Sequence, residues 1–190
     1  MEKGACIKHF NLIVISKLYM KEKSLIRRGN ILKGCGEVIL GVASKINQFN
    51  KVTAGSAYKS TLSLGTNTIV GSNHLLELTS NVTIGDYSIL AGAGTQIWTH
   101  GFYFSKAHPP KRWRVDSEVI IKKNVYVGTR CVITPGVVIQ DNITIGAGSV
   151  ISKNLDQQGL YVNQRLRFIE FDPDVAIHKF KKINDDIYEK

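Results

Sequence analysis

The sequence has few cysteines, and none of them form a pair spaced for a metal site or a disulfide framework. Only Cys6, Cys35 and Cys131 occur in 190 residues, and the chain has no CxxC motif. An odd, widely spaced set argues against a secreted disulfide scaffold and against a cysteine-based zinc site. We therefore expect a reducing environment and a cytoplasmic protein.

Long apolar runs are also missing. The apolar core of the N-terminal region, residues 12–15, is four residues long and is flanked by Lys8 and Lys17. A membrane-spanning helix needs about 20 apolar residues, and a signal peptide also needs a longer apolar region. We interpret residues 3–28 as an amphipathic helical segment that packs against the body of the protein. Peripheral association with a membrane surface is the second alternative for this segment.

Acidic residues are outnumbered by basic ones. The chain has 15 Asp and Glu against 25 Lys and Arg, which gives a net charge of +10 at pH 7. This balance favours an anionic partner such as a phosphorylated cofactor, an acidic glycan, a lipid surface or a nucleic acid. Solubility alone is the simpler alternative. No recognised nucleic-acid-binding motif accompanies the charge, so we expect no nucleic-acid partner.

What the sequence does have is a six-residue repeat. From Ile121 onward it reads IKKNVY, VGTRCV, ITPGVV, IQDNIT, IGAGSV and ISKNLD. A helix would place residues i and i+6 on nearly opposite sides, so it does not explain the period. Gly and Asn near the block ends tolerate the positive φ that tight corners require. The pattern therefore predicts an all-β solenoid, a parallel β-helix whose coils stack about 4.8 Å apart. The first positions, predicted to face the interior, are Ile121, Val127, Ile133, Ile139, Ile145 and Ile151.

The same rhythm recurs upstream, less cleanly. Leu64 and Val70 are one repeat apart, whereas Ile84 and Leu90 share a register shifted by two. We place the solenoid at residues 38–158.

Residues 98–118 lack the rhythm and are predicted to form a loop extruded from the solenoid. An open solenoid exposes unpaired strand edges and needs caps. We assign residues 1–37 to an N-terminal capping segment, predicted to be helical, and residues 159–190 to a C-terminal extension that ends in an α-helix. Asp172 and Pro173 mark the start of that helix. Apolar residues follow at helical spacing, namely Val175, Ile177, Phe180, Ile183 and Ile187.

Three features together resemble the hexapeptide-repeat acyltransferases, among them galactoside and maltose acetyltransferases and O-acetyltransferases of surface polysaccharides. These features are the [LIV]-G-x-x-x-x repeats, the loop that carries His100, and the closing IGAGSVISKN. The resemblance covers residues 64–168. It implies that the β-helix is left-handed and that the protein is a homotrimer with active sites between its subunits. It also implies acetyl-CoA as co-substrate, bound in a groove between coils, and no metal.

The resemblance also implies roles for single residues. His100 matches the catalytic histidine, and Asn73 matches an acceptor-site asparagine of sugar acetyltransferases. The usual GNPAK ending is replaced by VNQRLR at residues 162–167, where Arg165 and Arg167 are candidates for contacts with CoA phosphates. The other expected cofactor contacts are Tyr126, Thr129, Ala147, Ser152 and Lys153.

The loop supplies further candidates for acceptor binding. Trp98 and Trp113 have two open roles: stacking on a sugar ring, or packing the loop on a neighbouring subunit. His108 is a candidate substrate contact, and the loop cations could attract an anionic acceptor. His74 either lines the same cleft or sits on a coil face. Cys131 follows the interior rhythm, so we predict a core residue and not an acyl carrier.

The leading hypothesis is a CoA-dependent O-acetyltransferase that acts on a sugar of a bacterial surface polysaccharide or its precursor. A sugar hydroxyl needs a base to remove its proton during attack on a thioester, and a positioned imidazole contributes about 10²- to 10⁴-fold. The alternatives are N-acetylation of a nucleotide-linked amino sugar and modification of a xenobiotic or antibiotic. A zinc β-helix and a non-catalytic scaffold are the remaining readings.

Overall fold

The computed structural model describes residues 1–54, 59–107 and 109–163, together with the backbone of residues 181–184 and 187–189. The first three ranges form a left-handed parallel β-helix of about eight turns, as the repeat and the resemblance predict. Each turn contributes short strands to three parallel sheets, which we call A, B and C in the order in which the chain visits them.

Sheet A has eight strands and sheet B has seven. Sheet A contains β1 (Cys6–Ile7), β4 (Leu25–Ile26), β7 (Lys45–Ile46), β10 (Ile69–Ser72), β13 (Ile89–Ala93), β18 (Tyr126–Val127), β21 (Ile143–Ile145) and β23 (Gly159–Tyr161). Sheet B contains β2 (Leu12–Val14), β5 (Ile31–Lys33), β8 (Lys51–Thr53), β11 (Leu75–Glu77), β14 (Gln96–Ile97), β19 (Val132–Ile133) and β22 (Val150–Ile151).

Sheet C has six strands, and two antiparallel pairs lie outside the three sheets. Sheet C contains β3 (Lys17–Met20), β6 (Glu37–Leu40), β9 (Thr61–Leu64), β12 (Val82–Ile84), β17 (Val119–Ile121) and β20 (Val138–Ile139). The two pairs are β15 (His100–Phe104) with β16 (Arg112–Asp116), and β24 (Lys181–Asn184) with β25 (Ile187–Glu189). We name the connections A/B, B/C and C/A corners after the sheets that they join.

The interior is a continuous column of aliphatic side chains. All six predicted interior positions from Ile121 to Ile151 are buried, and upstream residues such as Leu64, Ile84 and Leu90 join the same core. Cys131 is fully buried within it, as predicted, and burial raises the pKa of its thiol. Since each buried Ile or Leu contributes about 1.5–3 kcal/mol relative to an exposed one, this column accounts for most of the stabilisation.

Coil length explains why the rhythm is clean only in the second half. The register pairs Leu25 with Lys45, twenty residues on, but Ile121 with Ile139, eighteen residues on. The residues that lengthen the upstream coils lie at the B/C corner, except for one additional residue at the A/B corner between Leu90 and Ile97. A strict six-residue period therefore breaks once per coil upstream, which accounts for the register shift seen in the sequence.

The predicted N-terminal helical cap is wrong. Residues 1–37 hold β1 to β5 and the first residue of β6, so the solenoid begins near Cys6 and not at residue 38. Met20, Ile26 and Leu32 are buried and precede Leu40 and its successors by one twenty-residue coil. Short β-strands with one inward residue each do not need an amphipathic helix to bury that residue. The solenoid also extends past residue 158, through β23.

The predicted C-terminal helix is wrong at its last two turns. Residues 181–184 and 187–189 form the antiparallel pair β24 and β25 instead. The β-branched residues Ile183 and Ile187 suit strands as well as helices, and a spacing of four residues does not distinguish a hairpin from a helix. The preceding part of the prediction, residues 172–180, lies outside the described residues. Within the described ranges, no helix is long and apolar enough to cross a membrane.

Candidate active site

The break in the repeat is a β-ribbon that leaves the solenoid at the B/C corner. It occupies residues 100–116, inside the predicted loop, and pairs β15 with β16 in antiparallel register from His100–Asp116 to Phe104–Arg112. His100 is the first residue of the ribbon. Its backbone is therefore held by the solenoid on one side and by a strand partner on the other.

A carboxylate from the preceding coil meets His100. Glu77 is the last residue of β11, and its Oε2 lies 2.8 Å from His100 Nδ1. The Thr79 hydroxyl donates to the other carboxylate oxygen of Glu77, and its own oxygen lies 3.1 Å from the same ring nitrogen. The Thr99 hydroxyl also donates a hydrogen bond to Glu77 Oε2, at 3.2 Å. The side chain of Glu77 is only 13 % exposed, and that of His100 is 23 % exposed.

The environment keeps Glu77 ionised. Burial, the largest single effect, raises the pKa of this carboxyl, but hydrogen bonds from Thr79 and the contact with His100 together hold the pKa below its usual value. A carboxylate can only accept hydrogen bonds, so the proton of a neutral His100 must sit on Nδ1. Its Nε2 then carries a lone pair. The geometry thus sets the imidazole in the tautomer that a general base needs.

Aromatic rings flank His100 on both sides. The ring of Trp98 lies 6.3 Å from the imidazole centroid, and that of Phe102 lies 5.4 Å away, both edge to face. The Arg112 guanidinium stacks over Phe102 at 4.5 Å from the ring centroid. Trp98 is half-buried, and its indole N–H donates to the Gln96 side chain at 3.0 Å. These contacts place a cation and two aromatic faces beside the imidazole.

The register sorts the ribbon into two faces, because side chains alternate along a strand. One face carries His100, Phe102 and Phe104 with their partners Asp116, Arg114 and Arg112. The other face carries Tyr103, Trp113 and Val115, which are exposed by 68, 54 and 44 % respectively. Trp113 therefore lies on the face opposite His100, whereas Trp98 and Phe102 lie beside the imidazole.

The predicted acceptor and pantetheine contacts lie at a different corner. Asn73, with φ 56°, is exposed at the A/B corner, at the other end of β11 from Glu77. Thr129 lies at the same corner, and its hydroxyl donates to the Ala93 carbonyl at 2.6 Å, which ties it to the coil below. Ala147 is exposed one coil further on. A side chain at Gly128 would come within 2.7 Å of the Ala147 nitrogen, so glycine is required there.

The remaining predicted cofactor contacts are spread over the chain. Tyr126 lies on sheet A, where it lines a groove of about 380 Å³ together with Tyr87 and Thr144. Ser152 and Lys153 follow β22 at the B/C corner, beside a pocket of about 190 Å³. Arg165, Arg167 and His108 lie outside the described residues. Among the described residues, Tyr126 lies on sheet A, Thr129 and Ala147 lie at the A/B corner, and Ser152 and Lys153 lie at the B/C corner, so one chain alone does not bring these five together.

The sequence analysis did not identify Glu77, and it left two alternatives for His74, in the cleft or on a coil face. Glu77 had one available signal: it is the outward-facing last residue of a strand, one coil of 21 residues before Trp98. His74 is 1 % exposed, and its Nδ1 accepts the Thr95 N–H at 3.0 Å inside the A/B corner. Burial lowers the pKa of His74, so it is a neutral structural residue and not part of the cleft.

In the part of the chain that the structure describes, no three His, Cys, Asp or Glu side chains form a group that could hold a metal ion.

Comparisons with known proteins match the repeats and the fold. The bacterial transferase hexapeptide family (six repeats) matches residues 118–153. Galactoside O-acetyltransferase of Escherichia coli (strain K12) is 34 % identical over 100 residues, which are 49 % of this chain and 48 % of that protein. The chain thus aligns with only about half the length of this curated relative.

Two solved structures share the fold. The maltose O-acetyltransferase of Clostridium difficile 630 has a TM-score of 0.52 and 27 % identity, over 70 % of this chain and 66 % of that one. A mutant of AntD, an N-acyltransferase from Bacillus cereus in complex with dTDP-4-amino-4,6-dideoxyglucose and coenzyme A, has a TM-score of 0.61 and 18 % identity, over 88 % of this chain and 89 % of that one. The matched repeats, the aligned relative and the shared β-helix confirm the predicted resemblance to the hexapeptide-repeat acyltransferases.

Proposed function

We propose that the protein is a CoA-dependent O-acetyltransferase that moves acetyl from acetyl-CoA to a sugar hydroxyl of a bacterial surface polysaccharide or its precursor. The observation that carries this proposal is the Glu77–His100 pair at the base of the ribbon. It is a partly exposed imidazole with a fixed tautomer, next to aromatic faces. The names of the aligned galactoside O-acetyltransferase and of the maltose O-acetyltransferase support a sugar hydroxyl as acceptor.

The reaction follows from the tautomer. His100 Nε2 takes the proton of the acceptor hydroxyl while the hydroxyl oxygen bonds to the thioester carbon. The tetrahedral intermediate then collapses, the carbon–sulfur bond breaks, and the imidazolium returns the proton to the CoA sulfur. Glu77 stabilises the imidazolium between these two steps, because an ionised carboxylate at 2.8 Å offsets the transient charge.

Assembly would complete the site. The candidate donor and acceptor contacts Asn73, Thr129 and Ala147 lie at the A/B corner, whereas His100, Ser152 and Lys153 lie at the B/C corner. An interface that joins the A/B corner of one copy, at the coils of Asn73, Thr129 and Ala147, to a neighbour's B/C corner is heterologous. Such interfaces form closed rings when the rotation allows. A triangular solenoid suits three copies. This placement of residues therefore supports a homotrimer with active sites between subunits.

We place the protein in the cytoplasm, where its free cysteines stay reduced.

The proposal is tested by incubating the purified protein with acetyl-CoA and a set of hydroxyl and amino sugars, and by measuring the CoA thiol released. Release with hydroxyl sugars supports O-acetylation, and release only with nucleotide-linked amino sugars supports the N-acetyl alternative. His100→Ala should lower turnover about 10²- to 10⁴-fold. Full activity in that variant would overturn the assignment of the base.

A further inference from the structure

The A/B corner of the first three coils forms a cationic groove, three coils before the level of His100. The groove has a volume of about 390 Å³, and its lining includes Lys8, His9, Arg27 and Arg28. None of the residues that connect sheet A to sheet B, all of which the structure describes, is Asp or Glu. The acidic residues of these coils lie elsewhere: Glu22 pairs with Lys23 at the C/A corner, and Glu37 pairs with Lys17 on sheet C. The positive charge at this corner is therefore not neutralised locally.

Two phenylalanines border the groove in a backbone conformation that suits them poorly. Phe10 and Phe49 have φ of 61° and 60°, in the left-handed region that bulky residues avoid. Their side chains are 87 % and 51 % exposed, so burial does not compensate for this conformation. Gly29 occupies the equivalent position between them, and a Cβ there would lie 2.5 Å from the ring of Phe49. Other corners hold non-glycine residues at the same φ, such as Tyr87 at 59°, so the conformation belongs to the corner. The distinguishing feature here is a pair of exposed rings beside basic side chains.

Cations and rings are interleaved along this corner. The Arg28 guanidinium lies 5.9 Å from the centroid of the Phe49 ring, and the His9 ring meets Phe10 edge to face at 5.8 Å. Because successive coils are about 4.8 Å apart, these groups repeat along the solenoid axis. The surface consists of Lys8, His9, Phe10, Arg27, Arg28 and Phe49, and we call it the N-terminal basic corner.

A ladder of asparagine amides, two of them buried, links the coils beneath this surface. The Asn30 N–H donates to Asn11 Oδ1 at 2.8 Å, and the Asn50 N–H donates to Asn30 Oδ1 at 2.9 Å. Asn50 Oδ1 in turn accepts the His74 N–H at 2.9 Å. Each coil of the corner is thus fixed to the next by a side chain. A surface held in this way binds a ligand with little further loss of conformational entropy.

We propose that the N-terminal basic corner is a binding site for an anionic polysaccharide, separate from the site of acetyl transfer. Guanidinium groups bind sugar carboxylates through paired hydrogen bonds, and exposed aromatic faces pack against the apolar faces of sugar rings. A polymer that repeats its charge suits a surface that repeats its cations. The corner is continuous with Asn73 and Gly94 on the next two coils, so a bound chain would lead toward the acceptor site. The approach of a bound chain to the acceptor site rests on the proposed function and its homotrimer, whereas binding at the N-terminal basic corner does not.

The test measures binding of the full-length protein to polygalacturonate, a linear uronic-acid polymer, by calorimetry in the absence of acetyl-CoA. Neutral dextran is the control polymer. We expect polygalacturonate to bind with an affinity that falls as salt rises, and dextran not to bind. Arg27→Ala with Arg28→Ala should weaken binding about tenfold or more, as expected for the loss of charge-assisted hydrogen bonds. Lys3→Ala with Lys21→Ala is the matched control, since it removes two cations from the C/A corner of the same coils, and it should change the affinity less than about twofold.

A second variant separates a role of the rings from a role in folding. Phe10→Asn with Phe49→Asn removes both rings but supplies a residue that tolerates positive φ, so thermal stability should stay the same or rise. We expect this variant to bind polygalacturonate more weakly than the wild type. The proposal is overturned if the arginine variant binds polygalacturonate as tightly as the wild type does. It is also overturned if Phe10→Asn with Phe49→Asn binds the polymer as tightly as the wild type. Tighter binding to anionic lipid vesicles or duplex DNA through the same arginines would also overturn it. Because no turnover is measured, loss of the proposed acetyl transfer would leave this result unaffected.

Discussion

The side chain of Glu77 lies 2.8 Å from His100 although the two residues belong to successive coils and are 23 positions apart in the sequence. The contact forms because β11 ends directly beneath the point where the ribbon leaves the solenoid. The parallel register therefore fixes the distance between the carboxylate and the base. A flexible loop alone would not hold the imidazole in one orientation.

Glu77→Gln should lower kcat while it leaves the KM for acetyl-CoA near that of the wild type. The amide keeps a hydrogen-bond acceptor but loses the charge that stabilises the imidazolium. Loss of such a positioning partner typically costs about 10- to 100-fold in activity. Steady-state kinetics of transfer measure the split. Glu118→Gln, which changes an exposed carboxylate near the ribbon, is the control and should keep wild-type rates. An unchanged kcat in Glu77→Gln would mean that the carboxylate only supports the fold.

The same carboxylate should make stability depend on pH. Its pKa in the folded protein is lower than its usual value of 4.5, so the ionised form stabilises the fold above that value. This contribution is lost as the pH falls from about 4.5 through the lowered pKa of the folded state. Urea unfolding should therefore show a larger deficit for Glu77→Gln at pH 7 than at about pH 3. A deficit that is equal at both pH values would contradict the lowered pKa.

The two faces of the ribbon should respond differently to substitution. Phe102 lies beside His100, so Phe102→Ala should raise the KM for the acceptor and leave the oligomeric state unchanged. Trp113 is on the opposite face and exposed, so we expect it to pack against a neighbouring subunit of the proposed homotrimer. Trp113→Ala should then weaken assembly, as sedimentation would measure, and its activity should recover as the protein concentration increases. A raised acceptor KM at every concentration would contradict this role of Trp113.

Adjacent leucines test the register of sheet B. Leu76 is fully buried, whereas Leu75 is the half-buried, outward-facing residue before it. Leu76→Ala should lower the free energy of unfolding by about 2–5 kcal/mol, because it leaves a cavity in the solenoid interior. Leu75→Ala should cost less than about 1 kcal/mol, since only part of its surface is removed from water. Urea denaturation of both variants measures the difference, and equal losses would contradict the register.

The sequence allowed the fold to be predicted where the repeat is strict. The positions from Ile121 to Ile151 specify the coil, its interior and its corners without help from distant residues. The N-terminal coils were not predicted, because two extra residues per turn hide the period around Met20 and Ile26. His100 was identified as a candidate because the resemblance implies a catalytic histidine there and because the repeat is interrupted at this point. Glu77 was not found because its role depends on stacking between coils. The faces of Trp113 and Phe102 depend on the pairing of β15 with β16, which composition does not determine.

The uneven spacing at the B/C corner has a consequence for how the molecule can change. The next interior residue after Leu32 is Leu40, eight positions on, but the next after Ile97 is Ile121, twenty-four positions on. Both connections join strands that stack in the same parallel register. The scaffold therefore accepts insertions at this edge without moving its neighbours. Ribbons of different length and composition could be exchanged there to alter acceptor choice while the solenoid beneath keeps its stability.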